Sequence, residues 1–214
     1  MQSAEPPSKR PGLTLHWPLP YDAVVWVLTV GRPRAFRRRL LAPARLQSGE
    51  SMLDVGCGTG SLALEAKRIV GPGGDVHGID ASPEMIARAA RKARRSELQV
   101  DFRVSPAQAI PFPDGRFDVV SSTLMLHHLP RNSRVECARE MHRIVRQGGR
   151  VLAVDFDERE GHGPLGHFVR HGNVKAEEID ALLADAGLQV VDRGAVGFRS
   201  LRYVLATRPA ENVA

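Results

Sequence analysis

Apolar and polar positions along the chain set up two different rhythms, and the change falls near residue 50. Before it, an apolar segment at Ala23–Val30 leads into Arg32–Leu41, where Phe36 and Leu40 are spaced i, i+4 among Arg34, Arg37, Arg38 and Arg39. This predicts a short buried helix followed by a basic amphipathic one. After it, short apolar runs alternate with helical stripes. Ser51–Val55 reads as a strand. Ser61–Val70 reads as a helix with Leu62, Ala66 and Ile69 on one face, and Val76–Ile79 as a second strand. Ser82 is an N-cap with Pro83 at the first helical position. Ile86, Ala89, Ala90 and Ala93 then form an i, i+3, i+4, i+7 stripe.

Leu98–Val104 and Phe117–Ser122 read as the third and fourth strands. Ser133–Arg146 reads as a helix with Val135, Ala138, His142 and Val145 inward, and Val151–Phe156 as the fifth strand. Asp157–Asn173, with four Gly, one Pro and three His, reads as a long loop. Lys175–Ala186 is a helix stopped by Gly187, and two strands follow near Leu188–Arg193 and Ser200–Thr207. Repeated strand–helix units with short links predict a parallel sheet covered on both faces. The last two strands have only about ten residues between their centres, too few for a parallel crossover, so they are expected to pair antiparallel.

The 214 residues suffice for one sizeable α/β domain. The ordinary 43% apolar and 25% charged content argues against disorder or a repeat array. The longest nearly unbroken apolar run, Ala23–Leu28, is too short to span a bilayer, and no secretory signal is visible. Cys57 and Cys137 stand alone, so neither a metal site nor a disulfide framework follows, and a reducing cytoplasm is the expected compartment. Of the +6 net charge, +5 lies in residues 1–50, so the body is nearly neutral. A polyanion-binding domain more often spreads its charge over a folded face.

The most informative stretch is Leu53-Asp54-Val55-Gly56-Cys57-Gly58-Thr59-Gly60. A buried strand runs into alternating glycines and a helix begins at once. Glycines permit positive φ and close approach of a ligand to the backbone, and the helix start offers free N–H groups. A dinucleotide fingerprint needs its third glycine where Ser61 stands, and no P-loop Lys follows. The second strand ends at Asp80, whose carboxylate can accept both hydroxyls of a ribose. A ligand with a ribose and no diphosphate fits, as adenosyl compounds do.

These residues resemble the class I S-adenosylmethionine-dependent methyltransferases, over about Ser51–Phe156. The resemblance is carried by Leu53–Gly60, Gly78-Ile79-Asp80-Ala81-Ser82-Pro83-Glu84-Met85, Ile110-Pro111-Phe112-Pro113-Asp114, Phe117-Asp118-Val119-Val120, Leu126-His127-His128-Leu129 and Val145-Arg146-Gln147-Gly148-Gly149-Arg150. The combination looks like the branch that includes ubiquinone and menaquinone C-methyltransferases. It implies an α/β, Rossmann-like doubly wound sheet of seven strands, mostly parallel with an antiparallel last strand. The change of rhythm and charge along the chain leads us to expect an N-terminal arm or helical cover over 1–45, the S-adenosylmethionine-binding domain over 46–208 and a tail over 209–214. S-adenosylmethionine is the implied cofactor and S-adenosylhomocysteine its product. Asp54 and Gly56 would lie beside the methionine part, with Cys57 giving only its backbone. Gly58 and Gly60 shape the turn, Gly58 allowing close approach. Asp80 would hold the ribose, next to Ala81, and Met85 would pack near the adenine. The Ser122–Thr123 backbone would meet the amino acid end. Where the family usually has an acidic residue after the third strand, this chain has Ser105-Pro106-Ala107, so adenine recognition falls to Pro106 and Ala107, with the Ala107 N–H and the Gln108 amide as donors.

Methyl transfer from a sulfonium is an in-line displacement, so the protein mainly aligns the partners and needs a base only if the acceptor must lose a proton. His127 and His128 follow the fourth strand at the ligand end of the sheet, and His127 is the candidate catalytic residue. The plain alternative is a packed His beside one that caps a helix. The 157–173 loop carries His162, His167 and His171 in spacings that match no metal motif, so no metal is expected. It reads as a glycine-hinged acceptor lid or as solvated loop. Tyr21, Trp26 and Phe36 in the arm either complete the core or cover an apolar acceptor. Arg32–Arg39 reads as a solvated face, or as a contact for an anionic acceptor, a membrane surface or RNA.

The expected activity is methyl transfer to a small, apolar or aromatic acceptor at carbon or oxygen. Two alternatives stand beside it. An RNA methyltransferase would use the basic arm but is opposed by the neutral body and by Ser-Thr-Leu-Met after the fourth strand. A non-catalytic binder of adenosyl ligands would bind without turnover.

Overall fold

The computed structural model describes residues 33–156, 176–197 and 201–210. Helix α1 (Pro33–Leu41) comes first, then β1 (Ser51–Val55), α2 (Ser61–Val70), β2 (Asp75–Asp80), α3 (Pro83–Arg95) and β3 (Asp101–Val104). They are followed by β4 (Phe117–Thr123), α4 (Arg131–Ile144), β5 (Val145–Phe156), α5 (Ala176–Asp185), β6 (Gln189–Ala195) and β7 (Leu201–Thr207). The seven strands form one sheet in the order β3-β2-β1-β4-β5-β7-β6. Strands β1 to β5 pair in parallel, and β7 runs antiparallel to both β5 and β6. The doubly wound, mostly parallel sheet expected from the sequence is therefore present. The order reverses at β1, between β2 and β4, where such sheets open a crevice at their carboxyl ends.

Alternation along the central strands builds two cores, one on each face. Leu53, Val55, Val120, Val151 and Ala153 point to one side and pack with Cys137, Met141 and Ile144 of α4 and Ile179 and Leu183 of α5. Met52, Val119, Leu152 and Val154 point to the other, with Leu40 and Leu41 of α1 and Leu62, Ala66 and Val70 of α2. The described end of the arm is thus part of the second core. Its Arg38 donates at 2.7 Å to Glu65, a completely buried carboxylate on α2 that Arg68 also reaches. Tyr21, Trp26 and the 157–173 loop with its three His lie outside the described residues.

Ser82 caps α3 as expected, its Oγ accepting from the Met85 N–H at 3.2 Å, with Pro83 at the first helical position. Three boundaries differ from the sequence reading. Helix α4 starts two residues early, directly after Pro130, and ends at Ile144 because Val145 already pairs with Phe117 of β4. Its buried stripe is Cys137, Ala138, Met141 and Ile144, not Val135, Ala138, His142 and Val145. Strand β5 starts six residues before the Val151 expected from the sequence and includes Gly148 and Gly149, and its register with β4 slips between Phe117 and Val119. Leu98 belongs to the turn that follows α3 rather than to β3, because its N–H closes onto the Ala93 carbonyl while Glu97 takes φ 54°. Pairing with β2 begins only at Asp101.

Candidate active site

The β1–α2 turn is built as its glycines predict. Gly56, Gly58 and Gly60 all have positive φ, at 73°, 52° and 73°. Only one of the three leaves room for something from outside. A Cβ at Gly60 would strike Phe102 and Ala89, so its bareness serves the packing of α2 against its neighbours. A Cβ at Gly56 would strike the side chain of Met125. A Cβ at Gly58 would meet nothing within 4 Å. The turn is tied to β2 by the N–H groups of Gly56 and Cys57, which share the Ile79 carbonyl at 2.8 and 2.9 Å.

Asp80 closes the next strand and stitches two turns together. One carboxylate oxygen accepts from the Gly58 N–H and the other from the Ser82 N–H, both at 2.9 Å. A carboxylate has about four lone-pair directions, so these bonds leave each oxygen able to accept again. Ala81 beside it is exposed, and Met85 is buried in the first turn of α3. Ser105 is anchored by its N–H to the Asp80 carbonyl at 3.0 Å and by its Oγ to the Ala109 carbonyl at 2.9 Å. That places Pro106 and Ala107 beside the end of β2, with Ala107 buried in the first core.

Asp54 is buried, and its Oδ1 accepts from Ser121 Oγ, its cross-strand neighbour, at 2.9 Å. Burial pushes its carboxyl up to about 7, the Asp80 charge adds to this, and the Ser121 hydroxyl and Ala63 N–H pull it back. Burial, with the charges of Asp54 and Asp80, holds the Cys57 thiol well above its usual range, so it is no nucleophile. The next two residues of β4 differ from Ser121. Ser122 Oγ and Thr123 Oγ1 are buried and have no hydrogen-bond partner among the described residues. Such atoms are costly to leave unmade, and here they stand at the carboxyl end of the central strand. The chain then strains to turn, with Leu124 at φ 55° while its N–H holds the Val154 carbonyl at 2.8 Å.

His127 follows in a single turn, Leu126–His128. Its Nδ1 lies 2.6 Å from Oδ1 of Asp155, a fully buried carboxylate near the end of β5, and its N–H donates to Oδ2 at 3.2 Å. The His128 ring lies 3.9 Å away, centre to centre, and Phe156 presents its ring at 5.7 Å. Burial lowers the His128 imidazole from its usual value, with His127 adding and Asp155 opposing. Arg134 secures the turn by donating from Nε to the Leu126 and Leu129 carbonyls.

Sequence reasoning did not pair Asp155 with His127, nor Ser121 with Asp54, and it overlooked Met125. One signal was available for Asp155. Val151 and Ala153 face the first core, so alternation turns Asp155 to that same side, where a lone acid at the rim of a buried strand demands a partner. Met125 gives no such signal, because its place over Gly56 depends on the left-handed turn at Leu124.

Residues 52–149 match the family described as a methyltransferase domain. The demethylmenaquinone methyltransferase of Thermus thermophilus is 35% identical over 136 residues, which is 64% of this chain and 60% of that protein. The ubiquinone/menaquinone biosynthesis C-methyltransferase UbiE of Bdellovibrio bacteriovorus is 32% identical over 138 residues, 64% of this chain and 57% of that one. The chain thus spans roughly three fifths of the length of these curated relatives. Among solved structures, a SAM-dependent methyltransferase from Aquifex aeolicus superposes with a TM-score of 0.73 at 25% identity, over 87% of this chain and 97% of that one. Over residues 52–149 the chain is thus similar to a methyltransferase domain, and its fold is that of the class I S-adenosylmethionine-dependent methyltransferases. Within that class its sequence is similar to the UbiE-like branch.

Proposed function

We propose that this chain transfers a methyl group from S-adenosylmethionine to a small, apolar or aromatic acceptor, with ring-carbon methylation of a quinone-like compound as the leading case. The observation that carries the reading is the rim itself. Bare peptide at Gly58, an Asp80 carboxylate with acceptor capacity to spare and unpartnered Ser122 and Thr123 hydroxyls stand together where a doubly wound sheet binds its ligand. That combination fits a nucleoside with a polar amino acid tail. When bound, the cofactor supplies a methyl group on a sulfonium that needs no further activation.

The chain's own part is alignment. Asp80 accepts the ribose hydroxyls while still holding the turns at Gly58 and Ser82 through their backbone N–H groups. Met85, Ala81, Pro106 and Ala107 border the adenine. Asp54, Gly56, Ser122 and Thr123 receive the amino acid end, with Cys57 lending only its backbone. The relatives named for demethylmenaquinone and ubiquinone support an apolar ring as acceptor.

Titration calorimetry with S-adenosylhomocysteine tests the reading. Binding is expected in the micromolar range, and Asp80→Ala is expected to weaken it about 100-fold by removing a half-buried pair of charged acceptor oxygens. Absence of heat at millimolar ligand with folded protein would defeat the proposal.

A further inference from the structure

We infer that His127, oriented by the buried Asp155 carboxylate, is the general base of this site, and that the acceptor is an aromatic ring whose hydroxyl gives its proton to His127 Nε2. The inference rests on the methyltransferase reading and names the acceptor chemistry of that same site.

The geometry has three parts. First, the tautomer is fixed. Asp155 is acceptor-only when ionised, so the 2.6 Å contact requires the proton on His127 Nδ1 and leaves Nε2 with its lone pair free. Asp155 itself cannot swing away, because its Oδ1 also accepts from the Phe156 N–H at 2.9 Å and its Oδ2 from the His127 N–H. Second, Nε2 forms no hydrogen bond among the described residues, and the side chain keeps 12% of its surface exposed. A histidine serving only the fold would be expected to spend both nitrogens. Third, the place is right. His127 follows Met125, which lies over Gly56, and Asp155 stands beside the end of β4, so the imidazole sits on the same rim as the proposed cofactor residues.

Acid strength selects the acceptor. An imidazole draws a proton usefully from a phenol-type hydroxyl, which titrates about 3.5 units above it, and hardly at all from an aliphatic alcohol. The surroundings favour a flat partner, with the His128 and Phe156 rings and Met125 at hand. In the step itself the hydroxyl O–H bond breaks, the proton goes to Nε2 and the electron pair stays on the ring oxygen, from which it is shared with the ortho carbon; that carbon would bond the methyl as the sulfur–methyl bond breaks with its pair left on sulfur, and its own hydrogen would then leave as a proton to water, restoring the aromatic ring. The imidazolium is held between that oxyanion and Asp155. The charged groups around it are Asp155 from β5, His128 on its own turn and Arg134 of α4, whose guanidinium is taken up by carbonyls of that turn and by Glu178 of α5. Asp155 is a positioning residue and His127 the catalytic one.

The test uses 1,4-dihydroxynaphthalene under anaerobic conditions and 1,4-dimethoxynaphthalene as the probe without a hydroxyl, with methyl-labelled cofactor. Label is expected to enter the first and not the second, and product analysis separates a ring methyl from a methyl ether. His127→Gln should lower kcat by about 100-fold or more with the S-adenosylhomocysteine affinity kept, and should erase the fall in kcat at low pH. Asp155→Asn should lower kcat while nitrogen-15 spectra show the His127 proton moving off Nδ1, a change that a merely structural role would not produce. A wild-type spectrum with the proton on Nε2, label in neither probe, or an unchanged kcat and pH profile in His127→Gln would each overturn the inference. Failure of the wild type to bind S-adenosylhomocysteine would instead bring down the methyltransferase reading beneath it.

Discussion

The two ends of the sheet treat charge in opposite ways. At the amino ends of the strands, carboxylates are met by cations and donors. Partial burial opposes ionisation of Asp118, yet the Ser51 hydroxyl and N–H and the Arg146 guanidinium bring it down to about 2. Asp75 is likewise held below its usual value, against some burial, by His77 and Arg116. Arg143 lowers Glu140 through a two-pronged pair, and Arg150 grips both oxygens of Glu50. At the carboxyl ends, burial raises Asp54, Leu124 takes a left-handed turn, and among the described residues two hydroxyls lack partners and Nε2 of His127 accepts no hydrogen bond. The same fold gains stability at one rim and forgoes it at the other, as expected where a site needs groups that only a ligand completes.

The sharpest way to separate the rims is at Arg143. Its guanidinium donates to the Phe112 and Ile110 carbonyls, to Asp114 and to both oxygens of Glu140, pinning the loop that leads into β4. Arg143→Ala leaves several of these acceptors unmet, so stability to urea is expected to fall by about 3 kcal/mol. S-adenosylhomocysteine affinity, measured well below the unfolding transition, is expected to stay within about twofold. A parallel loss of affinity would show that the rims are coupled and would break the comparison.

A second substitution should move the two properties in opposite directions. Ser122→Ala removes a buried hydroxyl that has no partner, so the protein is expected to become more stable by about 1 kcal/mol while its affinity for S-adenosylhomocysteine falls severalfold. Denaturant titration beside calorimetry reads both. Lower stability in the variant would mean that the hydroxyl already has a use in the folded protein alone.

How far the sequence discloses these rims differs. The sheet was legible because it rests on local signals: alternation, a Ser-Pro helix start and glycines at turns. The Gly56–Gly60 turn and Asp80 were legible for the same reason, being close in sequence to the strands that present them. What escaped was contact between distant strands and the phase of α4. Asp54 meets Ser121, and His127 meets Asp155, only because β1, β4 and β5 lie side by side. The α4 stripe slipped because His142 and Val145 have the right spacing, yet Val145 is claimed by pairing with Phe117, which stops the helix first. Tertiary pairing overrode a local period there. The three glycines also look alike in sequence, and only their neighbours in space show that Gly60 serves packing and Gly56 accommodates Met125.

The gentlest probe of the comparison is pH, since the two rims should bend the stability curve from opposite sides. Asp118 titrates near 2 in the folded chain and near 3.9 unfolded, so the unfolded chain binds the proton first. Its contribution is present above about pH 4 and is lost as the pH falls toward 2. Asp54 titrates near 7 folded and near 3.9 unfolded, so here the folded chain holds the proton more tightly. Stability from this group therefore declines as the pH rises from about 4 to about 7 and is level above. The melting temperature of Asp54→Asn is expected to lose the neutral-side decline and keep the acid-side one, and that of Asp118→Asn the reverse. S-adenosylhomocysteine adds a further arm. A ligand ammonium set beside Asp54 favours the ionised carboxyl, so binding near pH 6 should release a proton that the Asp54→Asn variant does not release. Calorimetry in buffers of different ionisation enthalpy counts that proton, and equal counts in both proteins would place the ligand's amino end away from Asp54.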